Sequence, residues 1–397
     1  MYYAILRKQE MLPIPEYSVI SHLPDLTIFD GQPVAFDFET HGLNPITGSI
    51  RSVAITNDAG SVAIDMEALT DAERSHLLLW LVHHPLGLIA HNAVFDVSWL
   101  YHATGIMPKI ETCTLVLFRL LATEGWLGQK WGLKSAMTDV LGWAHSNEEA
   151  LYGWLKSKKL KTGDMAQAPW KILGKYNALD AIGCWQLYKT LSNIAISNGW
   201  KESVLDFHRE DFCNLIELLV EQQISGMSID LAGVNKYDQV LAEQIEGHRV
   251  EFLEHSEVEE HVTYYQRVLV EEMRLKEPPE FTKLGKPTSR HSKWRDRIEE
   301  LTHRLDFNID SPTQLQWLFF ERLFYMSPIV TDKGGQSVGS KALPHLGELG
   351  KMLKGYRALR DRRKFVTALL NVQQGGILYP DVKCHGTVTG RPSGGKE

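Results

Sequence analysis

Cysteine is scarce. The four in 397 residues, Cys113, Cys184, Cys213 and Cys384, lie far apart with no Cys-x-x-Cys spacing. That disfavours a zinc site and a disulfide scaffold and predicts reduced thiols. The 16 histidines form no His-Glu-x-x-His or paired-ligand pattern. Long apolar runs are missing too: the longest, HLLLWLV at 76–82, is far short of the roughly 20 residues that span a bilayer and reads as a buried helix. The N-terminal MYYAILRKQEMLPIPEY carries charges where a signal peptide needs its apolar centre, so no secretion signal and a cytoplasmic protein are expected. Nor is there an excess of base. A formal net charge of −7 argues against a general nucleic-acid-binding coat, although carboxylates gathered for metal add negative charge that bound cations offset. At 44% hydrophobic and 23% charged residues the composition is that of a soluble globular protein, and the length predicts two or three domains.

What the chain does have is acids in an ordered set: FDFET (36–40), HNAVFD (91–96) and YNALD (176–180). In PVAFDFE the alternation of Val34, Phe36 and Phe38 reads as a strand with one apolar face, which points Asp37 and Glu39 the same way. In LGKYNALDAIGCWQLY, Leu173, Leu179, Ile182 and Leu187 recur at helical spacing, which places Tyr176 and Asp180 on one helix face. Asp96 follows the apolar run LGLIAHN, read as a buried strand that ends at a loop or helix start. An Asp-x-Glu pair alone is commonly a solvated edge, and Tyr-x-x-x-Asp alone occurs by chance. Acids on a strand beside apolar residues, joined by the other motifs, point instead to carboxylates converging on divalent cations. Cutting a phosphodiester calls for two such ions about 4 Å apart, held by oxygen ligands.

In this order the motifs resemble the DEDD 3′-5′ exonucleases, in the tyrosine-bearing subgroup that forms the proofreading domain of family A DNA polymerases. The resemblance extends over nearly the whole length. It implies that Asp37, Glu39, Asp96 and Asp180 hold two divalent cations, magnesium or alternatively manganese, and that Tyr176 orients the attacking water. Asn92 and Phe95 in the second motif are expected to meet DNA, and Leu133, Lys134 and Ser135 match the stretch between the second and third motifs. His41, where the family more often carries threonine or serine, departs from the pattern at a position that is not a ligand.

The first 195 residues alternate strands and helices: a strand at 33–39, short strands at RSVAITN and SVAIDM, a helix at 70–83, a strand at 86–91, then helices. This order fits a mixed sheet flanked by helices, and the resemblance makes it an α/β ribonuclease-H-like exonuclease domain over 1–195. From 196 to 370 the pattern is mostly α-helical and resembles a polymerase thumb. Gly226 is the expected terminator of a helix. A charged insertion near 254–304 contains Pro278, Pro279, Gly285 and Pro287, which read as an irregular loop. The resemblance resumes at FNIDSPTQLQWLFFERL (307–323), where Ser311 and Pro312 suit a helix start.

The segment KMLKGYRALRDRRK (351–364) holds seven basic residues and one acid, Asp361. Interleaved with Leu353, Tyr356 and Leu359 in an acidic protein, it reads as a phosphate-contacting helix through Arg357, Arg360, Arg362 and Arg363. HGTVTGRPS (385–393) resembles the entry to a palm, incomplete over 371–397, where Thr387, Thr389 and Arg391 would meet the DNA backbone. The two palm aspartates of family A polymerases have no counterpart before Glu397. Polymerisation by this chain alone is therefore not expected. Either a second chain carries palm and fingers as its partner, or the chain is a fragment. The expected activity is 3′-5′ removal of nucleotides from a frayed or single-stranded DNA 3′ end, with Phe95 and Trp99 as stacking candidates. A non-catalytic subunit that grips primer-template DNA and docks a polymerase chain is the alternative. An RNA-trimming exonuclease stands behind both.

Overall fold

The structure is a computed structural model that describes residues 12–122, 131–143, 148–281, 286, 288–303, 307–332, 334–384, 386–387 and 391–394. Contacts group these into two units, one running to Met227 and joined by the described residues from Tyr379 on, the other Ser228–Leu378. The division therefore falls beyond the boundary expected at 195, and the start of the palm-like segment is shared between the units. The helix after 195 belongs with the first unit because Ile216, Leu219 and Val220 are buried in its core cluster.

The first unit is built on a six-stranded sheet of order β1-β4-β3-β2-β5-β6. Its strands are β1 (Ser18–Ile20), β2 (Val34–His41), β3 (Ser49–Asn57), β4 (Gly60–Asp65), β5 (Leu88–Ala90) and β6 (Ile110–Cys113). β2, β3 and β4 form an antiparallel meander, whereas β5 runs parallel to β2, and β6 parallel to β5. The helices are α1 (Asp71–Val82), α2 (Ala93–Thr104), α3 (Thr114–Leu121), the short α4 (Leu133–Ala136), α5 (Glu148–Lys158), α6 (Trp170–Ser197) and α7 (Asn214–Ser225). α1 starts where the Thr70 hydroxyl accepts from the Glu73 N–H and the Glu73 side chain answers the Thr70 N–H, a reciprocal cap.

Two opposite faces of β2 organise this unit. The rings of Phe36 and Phe38 meet edge to face with centroids 5.2 Å apart, so they share one face and leave Asp37 and Glu39 on the other. The phenylalanine face packs into a cluster with Leu77 and Leu81 of α1, Val97 of α2 and Ile216 of α7. Truncating either α1 leucine to alanine would cost about 2–5 kcal/mol. On the acidic face α6 lies close against the sheet because the meeting residues are small: Ala178 and Ala181 of α6 cluster with Ala54 and Ala63. A Cβ at Gly183 would come within 2.5 Å of the Met137 sulfur, so glycine there lets the Met137 side chain lie against α6.

The second unit is helical: α8 (Leu231–Leu253), α9 (Ser256–Leu275), α10 (Ser289–His303), α11 (Pro312–Gln316) and α12 (Gly347–Val372). Its core gathers Phe252, Val258, Val262, Phe319, Leu349 and Leu353. Ser311 caps α11 by accepting from the Gln314 N–H, with Pro312 in the first turn as expected. The region 254–304 is not dominated by irregular chain. Among the described residues it is mostly the two helices α9 and α10, tied by the Trp294 indole donating to the Met273 carbonyl at 2.8 Å. Val258 and Val262, one helical turn apart and fully buried, account for the difference: a sparse apolar stripe outweighs the charge around it. Among the described residues no helix is long and apolar enough to cross a membrane.

Candidate metal centre and nucleic-acid contacts

Asp37, Glu39 and Asp180 each offer a carboxylate oxygen, and these oxygens all lie within 4.8 Å of one another. The strand period delivers the first two, and α6 carries the third across the same face. Asp96 reaches the cavity from the first turn of α2, where its Oδ1 accepts from the Phe38 N–H at 3.0 Å. Asn92, at the preceding turn, has a left-handed backbone (φ 65°), a conformation that asparagine tolerates better than most residues. A single cavity of 210 Å³ is lined by Asp37, Glu39, Asp96, Asp180 and Tyr176, together with Asn92 and Phe95. The structure thus brings together all five expected catalytic residues and both expected contacts of the second motif.

The electrostatics of this cavity are unfavourable without a cation. Burial raises the Asp37 carboxyl to about 6, against the lowering effects of Lys134 and of a hydrogen bond from Asn177. Glu39 is pushed well up by burial and then by Asp37, and Asp96 likewise. Burial also raises the Tyr176 phenol, with Glu39 and Asp37 adding to the effect, so it stays protonated and able to donate. Carboxylates crowded out of water favour either protons or cations. Hard oxygen donors at this spacing suit divalent cations, so the residues present fit such ions.

Two further side chains complete the centre. Asn177 is fully buried, and its amide donates to Asp37 Oδ2 at 2.8 Å and to the Asp37 carbonyl at 3.0 Å, while its own oxygen accepts from the Ser52 hydroxyl at 2.9 Å. It holds Asp37 to α6 and β3 at once. It lies inside the YNALD stretch, but the spacing of that motif singles out only Tyr176 and Asp180; a polar side chain among the apolar positions of α6 was the available signal. Lys134, matched only as part of the stretch between motifs, forms an ion pair with Asp180 and lies 4.2 Å from the centroid of the Tyr176 ring. Burial lowers its ammonium to about 8. Trp99, expected as a stacking candidate, is 2% exposed with its ring edge-on to Phe95, so it belongs to the core and only Phe95 faces the cavity.

The expected DNA contacts of the second half lie elsewhere. In the second unit Arg363 makes a two-pronged pair with Asp238, both bonds 3.0 Å long. Arg360 pairs with Asp310, and Arg357 donates to the Val338 carbonyl at 2.7 Å. Arg362 donates to the Tyr237 hydroxyl at 3.4 Å. All four arginines therefore meet partners inside the unit, two of them carboxylates, with α12 tied to α8 through Arg363. In the first unit the Thr387 hydroxyl donates to the Arg391 carbonyl at 2.8 Å, near a short antiparallel ribbon of Val382–Lys383 with Ser393–Gly394. Thr389 lies outside the described residues.

Residues 19–196 match the family model described as 3′-5′ exonuclease, in its DNA polymerase A form. The first unit thus carries a 3′-5′ exonuclease domain of the family A polymerase type, a family whose chemistry implies divalent metal ions. More particularly, the chain is 26% identical over 331 residues to a DNA polymerase of Bacillus phage SP01, covering 79% of this chain and 34% of that protein. It therefore spans about a third of the length of this curated relative. Among solved structures, the polymerase domain of Pol1 from M. smegmatis, in complex with a DNA primer-template and dNTP, aligns over 92% of this chain and 51% of its own, with a TM-score of 0.58 and 16% identity. Brucella melitensis NrnC bound to pGG aligns over 54% of this chain and 96% of its own, with a TM-score of 0.41 and 23% identity.

Proposed function

We propose that the first unit is a two-metal exonuclease that removes nucleotides from single-stranded DNA 3′ ends and proofreads for a family A polymerase. The observation that carries this reading is the convergence of Asp37, Glu39 and Asp180 oxygens within 4.8 Å, in one cavity with Asp96 and Tyr176. These four carboxylates would hold the ions, with magnesium the first candidate and manganese the second. When bound, such a pair activates a water and neutralises charge on the leaving oxygen. The protonated Tyr176 hydroxyl orients the attacking water by donating or accepting a hydrogen bond. Water adds to the terminal phosphorus, the bond to the preceding 3′ oxygen breaks, and one nucleotide leaves. Phe95, which lines the cavity, offers an aromatic face to an unpaired terminal base.

In the same reading the second unit is thumb-like, and Arg362, Thr387, Thr389 and Arg391 are the candidates for backbone contact. The polymerase whose errors it removes would supply palm and fingers, as a partner chain or as further sequence. The likeness to a phage DNA polymerase and to a primer-template-bound polymerase domain supports this setting.

The test is incubation of the purified chain with 5′-labelled single-stranded DNA, RNA and blunt duplex, with and without magnesium. Metal-dependent shortening of the DNA single strand from its 3′ end is expected, with Asp37→Ala at least about 100-fold slower. Wild-type speed in that variant would sink the assignment. Tight duplex binding with no cleavage of any strand would favour a non-catalytic grip, and a preference for RNA would favour a trimming enzyme.

A further inference from the structure

Four lysines fall within six residues at the end of α5 and just beyond it: Lys156, Lys158, Lys159 and Lys161. All four are exposed, and among the described residues none is within ion-pair distance of a carboxylate. Three of them, Lys156, Lys159 and Lys161, line an open cleft of 630 Å³ together with Tyr152 and Thr162. Thr162 also lines the carboxylate cavity, so the two spaces adjoin. Glu39 acts electrostatically on Tyr152, a further sign that they are neighbours.

Cations favour a helix C-terminus through the helix dipole, which suffices for Lys156 and Lys158. It does not explain Lys159 and Lys161, which follow the helix. Lys159 moreover adopts φ +58°, the left-handed conformation in which a helix usually ends on glycine. A lysine held where glycine would be unstrained points to a use for its charge. The carboxylate cavity itself repels a polyanion, so a strand entering it needs phosphate contacts close by.

From this we infer that the cleft of Lys156, Lys159 and Lys161 is the lead-in path for the single strand. Its lysines take phosphates on the 5′ side of the scissile one, and the exposed Tyr152 offers a face for a base. The inference rests on the exonuclease reading of the adjoining cavity and adds where the strand runs.

The test compares the full chain with the triple variant Lys156→Gln, Lys159→Gln, Lys161→Gln and with Lys159→Gly alone. Hydrolysis of dinucleotide and ten-nucleotide single strands is followed in magnesium, and fluorescence anisotropy in EDTA reports binding of the ten-nucleotide strand without cutting. The triple variant should raise KM for the ten-nucleotide strand about tenfold. It should also flatten the log–log salt dependence of binding by about 2, since each phosphate that a lysine neutralises adds roughly 0.7 to the slope. Its effect on the dinucleotide should be under about twofold, because that substrate does not reach the cleft. Lys159→Gly should weaken strand binding while its Tm holds or rises, since glycine relieves the strained backbone; this separates weaker phosphate binding from unfolding. Unchanged KM and salt slope for the longer strand would overturn the inference, as would an equal effect on both lengths. If the parent chain cuts nothing, the exonuclease reading fails. The anisotropy still decides the path: strand binding that the lysine changes weaken supports it, and binding they leave alone rejects it.

Discussion

Asn177 shows how one neutral side chain can set the position of a candidate metal ligand. Its amide donates twice to Asp37 and accepts from Ser52, which leaves Asp37 little freedom to turn away from Glu39. Asn177→Ala should therefore weaken divalent-ion binding about 10- to 100-fold, the range seen when a ligand loses its hydrogen-bonded support. A metal titration of activity checks this: the midpoint should move while the rate at saturating metal largely recovers. An unshifted midpoint would make Asn177 a packing residue only. The candidate site residues themselves could be read from spacing, since periods of two and of nearly four residues put Asp37 with Glu39 and Tyr176 with Asp180. Their supports could not, because Ser52 and Asn177 are 125 residues apart and meet only when α6 lies on the sheet.

At the scale of elements, His208 and Arg363 carry testable joints. His208 is buried against β6, with Nε2 3.3 Å from the Cys113 N–H, and burial lowers its imidazole to about 4. The folded state thus prefers the neutral ring. Stability from this group is present above the unfolded value near 6.5 and is lost as pH falls toward 4, since the unfolded chain then binds the extra proton. The loss amounts to roughly 3 kcal/mol across that range. Denaturant melts between pH 7 and 4 should show this slope in the parent and a shallower one in His208→Gln. In the second unit, Arg363 and Asp238 should behave as a joint between α12 and α8. A double-mutant cycle with Arg363→Ala and Asp238→Ala should give a small favourable coupling, as exposed pairs do. Zero coupling would leave Arg363 free to meet phosphate. The basic run in 351–364 was plain in the sequence. That Asp238 and Asp310 already answer two of its arginines was not, because these acids come from α8 and from the turn before α11. The helices α9 and α10 were obscured for a different reason: prolines in their connection and dense charge hid a stripe as narrow as Val258 and Val262.

For the molecule as a whole, four acids gathered at one cavity beside a largely buried lysine would couple folding to the binding of divalent ions. Ions that bind only the folded chain stabilise it by mass action. Millimolar magnesium should raise Tm by several degrees in the parent, as scanning calorimetry with and without EDTA would show. Lys134→Met should lower Tm in EDTA, because breaking a buried pair costs about 3–5 kcal/mol, and magnesium should restore a larger share of it. Equal magnesium shifts in parent and variant would mean that Lys134 and the ions do not share the carboxylates.

The alternation of β2, the helical face of α6, the caps at Ser311 and Gly226 and the identity of the acids could all be read directly along the chain, because each depends on neighbours within a few residues. It took the packed fold to bring Ala54, Ala63, Ala178 and Ala181 together, so that α6 approaches closely enough for Asp180 to join Asp37 and Glu39. Packing likewise made Trp99 part of the core and set Lys134 among the acids. These outcomes depend on which distant surfaces meet, and burial then sets the charge and reach of every side chain between them.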